Sequence, residues 1–212
     1  MLRLMETFSL KTLNVGSANN YNPHLLDRWG FLIYNIIMDK YIDQFLQIYY
    51  PCMNLQGMSV VDFGCGLGSN SIELASRGAI VFSIDKSLNN LQAVEKLANE
   101  KNLNIFLKQQ NLINYRCVKK YDIVLFNFVL HFIKEELQLN VVQNIIDSVK
   151  SGGILIFSDL EDIKKISPDV LNILQNNLIN IKIQKFKHKD SPHPGMNFPH
   201  WHKGLYLAGV KK

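Results

Sequence analysis

Val60-Val61-Asp62-Phe63-Gly64-Cys65-Gly66-Leu67-Gly68 decides the fold of this chain. An apolar run enters a turn with glycines at three alternate positions. A continuous apolar run reads as a strand buried on both faces, and glycines directly after it as a tight turn that leaves room for a ligand. Asp85 ends the next apolar run. It lies at roughly the 20-residue distance where open α/β folds place a ribose-binding acid.

Working outward, strands and helices alternate. Residues 58–63 form the first expected strand, 69–75 a helix stopped by Arg77-Gly78, and 79–84 the second strand. Ser87 is the expected cap of a helix with Leu91, Val94, Leu97 and Ala98 on one face. Strands follow at 103–107 and 121–126, then a helix at 134–149 with Glu135 and Glu136 in its first turn. Ser151-Gly152-Gly153 is read as the turn that ends it, before a fifth strand at 154–157. A helix at 168–177 precedes two strands, 178–186 and 204–210, with no helix between them. That predicts a parallel sheet buried on both faces, closed by an antiparallel hairpin at its edge. The hairpin's connection, 188–199, is rich in proline and histidine, and loops of that length in compact domains are often functional. Ahead of the sheet, residues 36–49 read as an amphipathic helix.

At 212 residues the chain suits one domain. Within it, 1–55 are expected as an N-terminal helical lid or extension, 56–160 as a cofactor-binding core, and 161–212 as an edge hairpin with an acceptor-side loop. The formal charge of +5 comes largely from C-terminal lysines and reads as a solvated basic face. A nucleic-acid footprint would interleave aromatics with a basic stripe. Cys52, Cys65 and Cys117 have no paired spacing, which fits a reducing cytoplasm and neither a disulfide framework nor a zinc motif. No apolar run approaches the ~20 residues that span a bilayer. The expectation is a cytoplasmic protein with no membrane and no nucleic-acid partner.

The glycine spacing selects the ligand. Dinucleotide folds use Gly-x-Gly-x-x-Gly and present a helix N-terminus to a pyrophosphate. Here the glycines are spaced two and two, after Asp62. A carboxylate there repels a pyrophosphate and welcomes an ammonium group, which favours S-adenosylmethionine. Gln110-Asn111-Leu112 and Asn127-Phe128-Val129 follow the third and fourth strands, at the edge where open α/β sheets bind ligands.

These segments together resemble class I S-adenosylmethionine-dependent methyltransferases over residues 55–160. The resemblance implies a Rossmann-like seven-stranded α/β sheet, mostly parallel with an antiparallel last strand and helices on both faces. It implies that Asp62, Gly64, Cys65, Gly66 and Asn70 surround the methionine end of the cofactor. Asp85 and Lys86 would flank the ribose, Asn111 and Leu112 the adenine, and Asn127 the sulfonium side. Members often carry an acid at the Asn111 position, and an amide would hold the adenine amine less strongly. A turn role for Asn111 stands as the alternative.

A narrower resemblance, to the tellurite-resistance (TehB-like) type, rests on Asp190-Ser191-Pro192-His193-Pro194-Gly195, His200, His202 and the closing Leu207-Ala208-Gly209-Val210-Lys211-Lys212. It implies that His193 lies near the acceptor, although no arginine follows it here. His131, past the fourth strand, is a second candidate base or a turn residue. Tyr21 and Trp29 are core residues or rings over the sulfonium. His188, His193, His200 and His202 fall in one segment, yet no cysteine lies nearby and Asp190 is the only acid. No metal is expected.

The sequence therefore predicts a transferase that moves a methyl group from S-adenosyl-L-methionine to a small molecule, releasing S-adenosyl-L-homocysteine. A soft thiol or metalloid acceptor suits a chain without an evident catalytic dyad. An oxygen or nitrogen acceptor would draw on His131 or His193. A catalytically silent cofactor-binding scaffold or partner subunit is the alternative, and a dinucleotide oxidoreductase a third. Asn127-Phe128-Val129-Leu130 lacks the Pro-Pro-aromatic sequence of nucleic-acid amine methyltransferases.

Overall fold

A computed structural model describes residues 53–161, 166–190 and 198–212. The expected 36–49 helix, Tyr21, Trp29 and His193 lie outside the described residues.

Among the described residues, seven strands form one sheet in the order β3-β2-β1-β4-β5-β7-β6. In chain order they are β1 (Ser59–Phe63), β2 (Ile80–Asp85), β3 (Ile105–Gln109), β4 (Tyr121–Asn127), β5 (Val149–Leu160), β6 (Leu178–Asp190) and β7 (His200–Lys211). The helices are α1 (Ser69–Ser76), α2 (Leu88–Glu100), α3 (Glu135–Asp147) and α4 (Pro168–Asn177). The pairings among β1 to β5 are parallel, whereas β7 runs antiparallel to both β5 and β6.

Burial on both faces follows from the strand composition. Val61, Phe63, Val124, Phe126, Leu155 and Phe157 join Val142, Ile145, Ile146 and Leu174 in one core cluster. Val60, Ile123, Leu125, Ile154 and Ile156 pack with Leu74 and Ala75 in a second. Strand residues alternate between the two clusters, so each strand must be apolar at nearly every position.

Local signals set the helix boundaries. Ser87 Oγ accepts from Asn90 N at 3.3 Å and starts α2. Ser167 does the same for α4 through Val170 N, with Pro168 in the first turn. Gly78 takes φ 92 just past α1.

Two boundaries differ from the sequence expectation. Ser151-Gly152-Gly153 is no turn after a long helix: α3 ends at Asp147 and β5 already begins at Val149. Tyr121 pairs with Val149, and the register shifts before Ile123 pairs with Ile154. The two glycines absorb that shift. Gly152 adopts φ 76, and a Cβ on Gly153 would come within 2.9 Å of the Asp122 carbonyl oxygen. The C-terminal hairpin is also longer than expected. β6 runs to Asp190 and β7 starts at His200, so both His200 and His202 are strand residues.

Candidate cofactor and acceptor site

The crevice forms where β1, β2, β3 and β4 end. After Phe63 the chain turns at once, and Gly64 N and Cys65 N both donate to the Ile84 carbonyl at the end of β2, at 2.7 and 3.1 Å. The glycines of this turn do different work. A Cβ on Gly64 would sit 2.5 Å from Val129 Cγ2, and one on Gly68 2.5 Å from Val94 Cγ2, so both are required by close packing. Gly66 has φ +54 and nothing within 4 Å of the place where a Cβ would be, so this point of the turn faces open space.

Asp85 closes the turn from β2. Its Oδ2 accepts from Gly66 N at 2.9 Å, and its Oδ1 accepts from Ser87 N at 2.8 Å. The carboxylate expected at the ribose therefore also holds the glycine turn against the start of α2. Asp62 is 2% exposed. Its Oδ2 accepts from Ser71 Oγ, which in turn accepts from Ser83 Oγ, both at 2.7 Å. Burial pushes the Asp62 carboxyl up to about 6; the Ser71 hydrogen bond partly opposes this and the charge of Asp85 adds to it. Two acids thus meet here, and among the described residues no lysine or arginine forms an ion pair with either. Burial, then the charges of Asp62 and Asp85, push the Cys65 thiol up, so it is no thiolate nucleophile.

The other expected residues divide. Asn70 lies in the first turn of α1, and Lys86 is exposed, its carbonyl accepting from Gln109 Nε2 at 3.1 Å. Asn111 caps a short 3-10 turn, Leu112–Asn114, with Oδ1 accepting from Ile113 N at 3.1 Å. Leu112 is 7% exposed and packs in the core with Phe63 and Tyr115. Asn127 is buried; its Oδ1 accepts from Ser158 Oγ at 2.9 Å, while Nδ2 has no hydrogen-bond partner. Gln110 Oε1, at the end of β3, is likewise buried without a partner.

Buried polar groups without partners are rare and call for a ligand or water. An acceptor beside the expected adenine position, a donor at the end of β4, buried acids without a cation and an open glycine turn fit S-adenosylmethionine. Gln110 Oε1 is thus an open acceptor beside Asn111 and Leu112, the residues expected at the adenine. Its signal was available in sequence, as the first polar residue past β3 able to accept.

At the ends of β4 and β5 a different pair forms. His131 lies in the 3-10 turn Leu130–Phe132, and its Nδ1 is 2.5 Å from Asp159 Oδ1. Asp159 Oδ2 also accepts from the His131 backbone N–H, and Oδ1 from Leu160 N. Asp159 is 1% exposed. It was missed in the sequence because the acid lies far along the chain from its histidine, at the end of an apolar strand.

Residues 60–153 match the family described as methyltransferase domain. That segment of the chain is similar to methyltransferase domains. A ubiquinone biosynthesis O-methyltransferase from Rickettsia typhi is 28% identical over 131 residues, covering 62% of this chain and 52% of that protein. The chain thus spans about half the length of the curated relatives it matches. TehB from Haemophilus influenzae superposes with TM-score 0.69 at 17% identity, over 82% of this chain and 62% of that one. Magnesium protoporphyrin IX methyltransferase from Synechocystis, with S-adenosylmethionine bound, superposes with TM-score 0.60 at 22% identity, over 92% and 87%. These structures share the methyltransferase fold. Among the described residues no helix is long and apolar enough to cross a membrane.

Proposed function

We propose that this chain is an S-adenosylmethionine-dependent methyltransferase acting on a hydroxyl group of a small molecule, with His131 as general base and Asp159 as its positioning residue. The His131–Asp159 pair carries the reading. S-adenosylmethionine, when bound, supplies an electrophilic methyl on a cationic sulfur. Asp62 would hold its ammonium group, Asp85 its ribose, and Gln110 its adenine amine. Asp159 accepts the Nδ1 proton of His131 and so leaves the Nε2 lone pair to take the acceptor's proton. His131 Nε2 would take the acceptor's proton, and S-adenosylmethionine would supply the methyl group to the acceptor oxygen. A buried carboxylate then steadies the imidazolium.

A soft thiol or metalloid anion needs no such base, and the pair therefore favours a protonated acceptor over that expectation. The O-methyltransferase names of the curated relatives agree with it. In this reading residues 56–160 hold the cofactor and 161–212 flank the acceptor.

The test is a methyl-transfer panel of phenols, carboxylic acids, amines, thiols and tellurite. Turnover of hydroxyl acceptors is expected. It should fall ~10²- to 10⁴-fold in His131→Ala, with S-adenosylhomocysteine affinity unchanged. Asp159→Asn should lower kcat and move the pH profile of turnover, since the tautomer is no longer fixed. Transfer only to thiols or tellurite, indifferent to His131→Ala, would overturn the oxygen reading. Cofactor binding without turnover on any acceptor would favour a scaffold.

A further inference from the structure

Helix α3 buries Val141, Val142, Ile145 and Ile146 in the core, and a polar residue stands in the same stripe. Gln138 precedes Val141 and Val142 by three and four positions, so it shares their face of the helix. It is 2% exposed. A leucine at this position would simply extend the apolar stripe. Gln138 Nε2 instead donates to two backbone carbonyls, Leu130 O and Ile133 O, each at 3.2 Å. Both of those atoms are acceptors, so only the NH₂ end of the amide can turn toward them. Gln138 Oε1 is then left buried with no hydrogen-bond partner. A buried unmatched acceptor is costly, and its presence calls for a reason.

The two carbonyls flank His131 and Phe132. Leu130 opens the 3-10 turn Leu130–Phe132, and Ile133 caps its end. The turn's own bond, from Ile133 N to Leu130 O at 2.9 Å, spans the same interval. Gln138 therefore grips both ends of the turn from α3. Asp159 holds its middle from β5, through the His131 backbone N–H at 3.1 Å and the ring Nδ1. We infer that Gln138 is a positioning residue for His131, bracing the turn so that the imidazole keeps its Nδ1 proton on Asp159. The inference rests on the reading of His131 as general base. It also accounts for the orphaned oxygen. An amide that spends its NH₂ group on two carbonyls must point its oxygen away from them.

Positioning and packing differ in what they change. A reacting group displaced by ~1 Å can lose ~10²-fold in rate, even when the altered residue lies away from the chemistry. The tautomer of His131 is set by the bond that its Nδ1 makes to Asp159. A turn released from α3 would carry the ring off that carboxylate and free its Nδ1 proton to move. Loss of packing alone would lower stability and leave the tautomer as it is.

The experiment uses the full chain and two substitutions. Gln138→Met keeps the volume and loses both hydrogen bonds, whereas Gln138→Asn keeps the amide but is too short to bridge the carbonyls. Circular dichroism checks that each variant folds. Ring-nitrogen NMR shifts of His131, assigned by their loss in His131→Ala, report the tautomer in the ligand-free chain. The unaltered chain should carry the proton on Nδ1, and both variants should move part of the population to Nε2. With a hydroxyl acceptor that the unaltered chain turns over, kcat should fall ~10- to 100-fold while KM and S-adenosylhomocysteine affinity hold. In the His131→Ala background, Gln138→Met should cause no further loss. A proton on Nε2 in the unaltered chain would overturn the inference. So would an unchanged tautomer in a folded variant, or an equal loss of kcat with and without His131; Gln138 would then be a packing residue. Turnover indifferent to His131→Ala would instead remove the general-base reading, and the tautomer shift, measured without donor or acceptor, would still decide whether Gln138 positions the ring.

Discussion

Strand β1 carries a carboxylate problem at each end, and the two ends solve it oppositely. At the N-terminal edge of the sheet, Asp122 on β4 accepts from Ser59 N and Ser59 Oγ, at 2.9 and 2.6 Å, and from Lys150 Nζ at 2.7 Å. Burial pushes that carboxyl up, but the hydrogen bonds from Lys150 and Ser59 outweigh it and hold it at about 2. At the C-terminal edge, Asp62 has one serine and no lysine, and burial raises it to about 6. The first edge is complete in itself and ties three strands together. The second withholds a cation, and its neighbours Asn127 Nδ2 and Gln110 Oε1 withhold a partner as well. An edge that structure alone must hold is satisfied from within, whereas an edge that binds a ligand leaves to the ligand what is missing.

The contrast breaks most visibly at Asp62. Asp62→Asn should weaken S-adenosylhomocysteine binding on the order of 100-fold, about 3 kcal/mol, if the carboxylate receives the ammonium group. The sign of its pH effect follows from linkage. The native carboxyl holds its proton up to about 6, while the unfolded one loses it near 3.8. Asp62 therefore favours the ligand-free fold below pH 3.8, and that contribution is lost as pH rises through 6. Ligand binding by the unaltered chain should accordingly strengthen as pH rises through 6, and Asp62→Asn should flatten that rise. Calorimetry across pH 5 to 8 measures both, and an affinity flat in the unaltered chain would remove Asp62 from the ammonium site.

A smaller effect separates the orphaned donor from a packing residue. Asn127→Ala should cost ~5- to 20-fold in S-adenosylhomocysteine affinity, the size of one hydrogen bond to a ligand. The ligand-free melting temperature should fall less than the ligand-bound one, because the unpartnered Nδ2 leaves with the side chain. Equal falls would mean that Asn127 serves the Ser158 contact alone. The smallest effect belongs to the finished edge. Lys150→Ala should change stability by no more than ~1 kcal/mol, since both partners are partly exposed, and should leave ligand affinity unaltered. Denaturant titration and the same calorimetry check it.

Legibility in the sequence follows the range of the forces involved. Val60–Gly68, Ser87 and Pro168 could be read because burial on both faces, a left-handed turn and a helix cap each act within a few residues. The Gly152-Gly153 segment could not, since its conformation answers a register shift between β4 and β5. Asn111 could be read two ways; its Oδ1 caps a turn, and the unfilled acceptor belongs to Gln110 next to it.

The sequence by itself determined a parallel α/β sheet closed by an antiparallel edge and the glycine turn at the end of its first strand. Alternating burial and glycine backbone preferences are local, and each strand carries its own share of them. Only the tertiary structure decided what stands beside what. It brought Asp159 to His131 across the ends of β4 and β5, tied Asp85 to Gly66, and set His188 and Asp190 opposite His202 and His200. Those pairings depend on strand order and hairpin register, which arise when separate elements bury their apolar faces together.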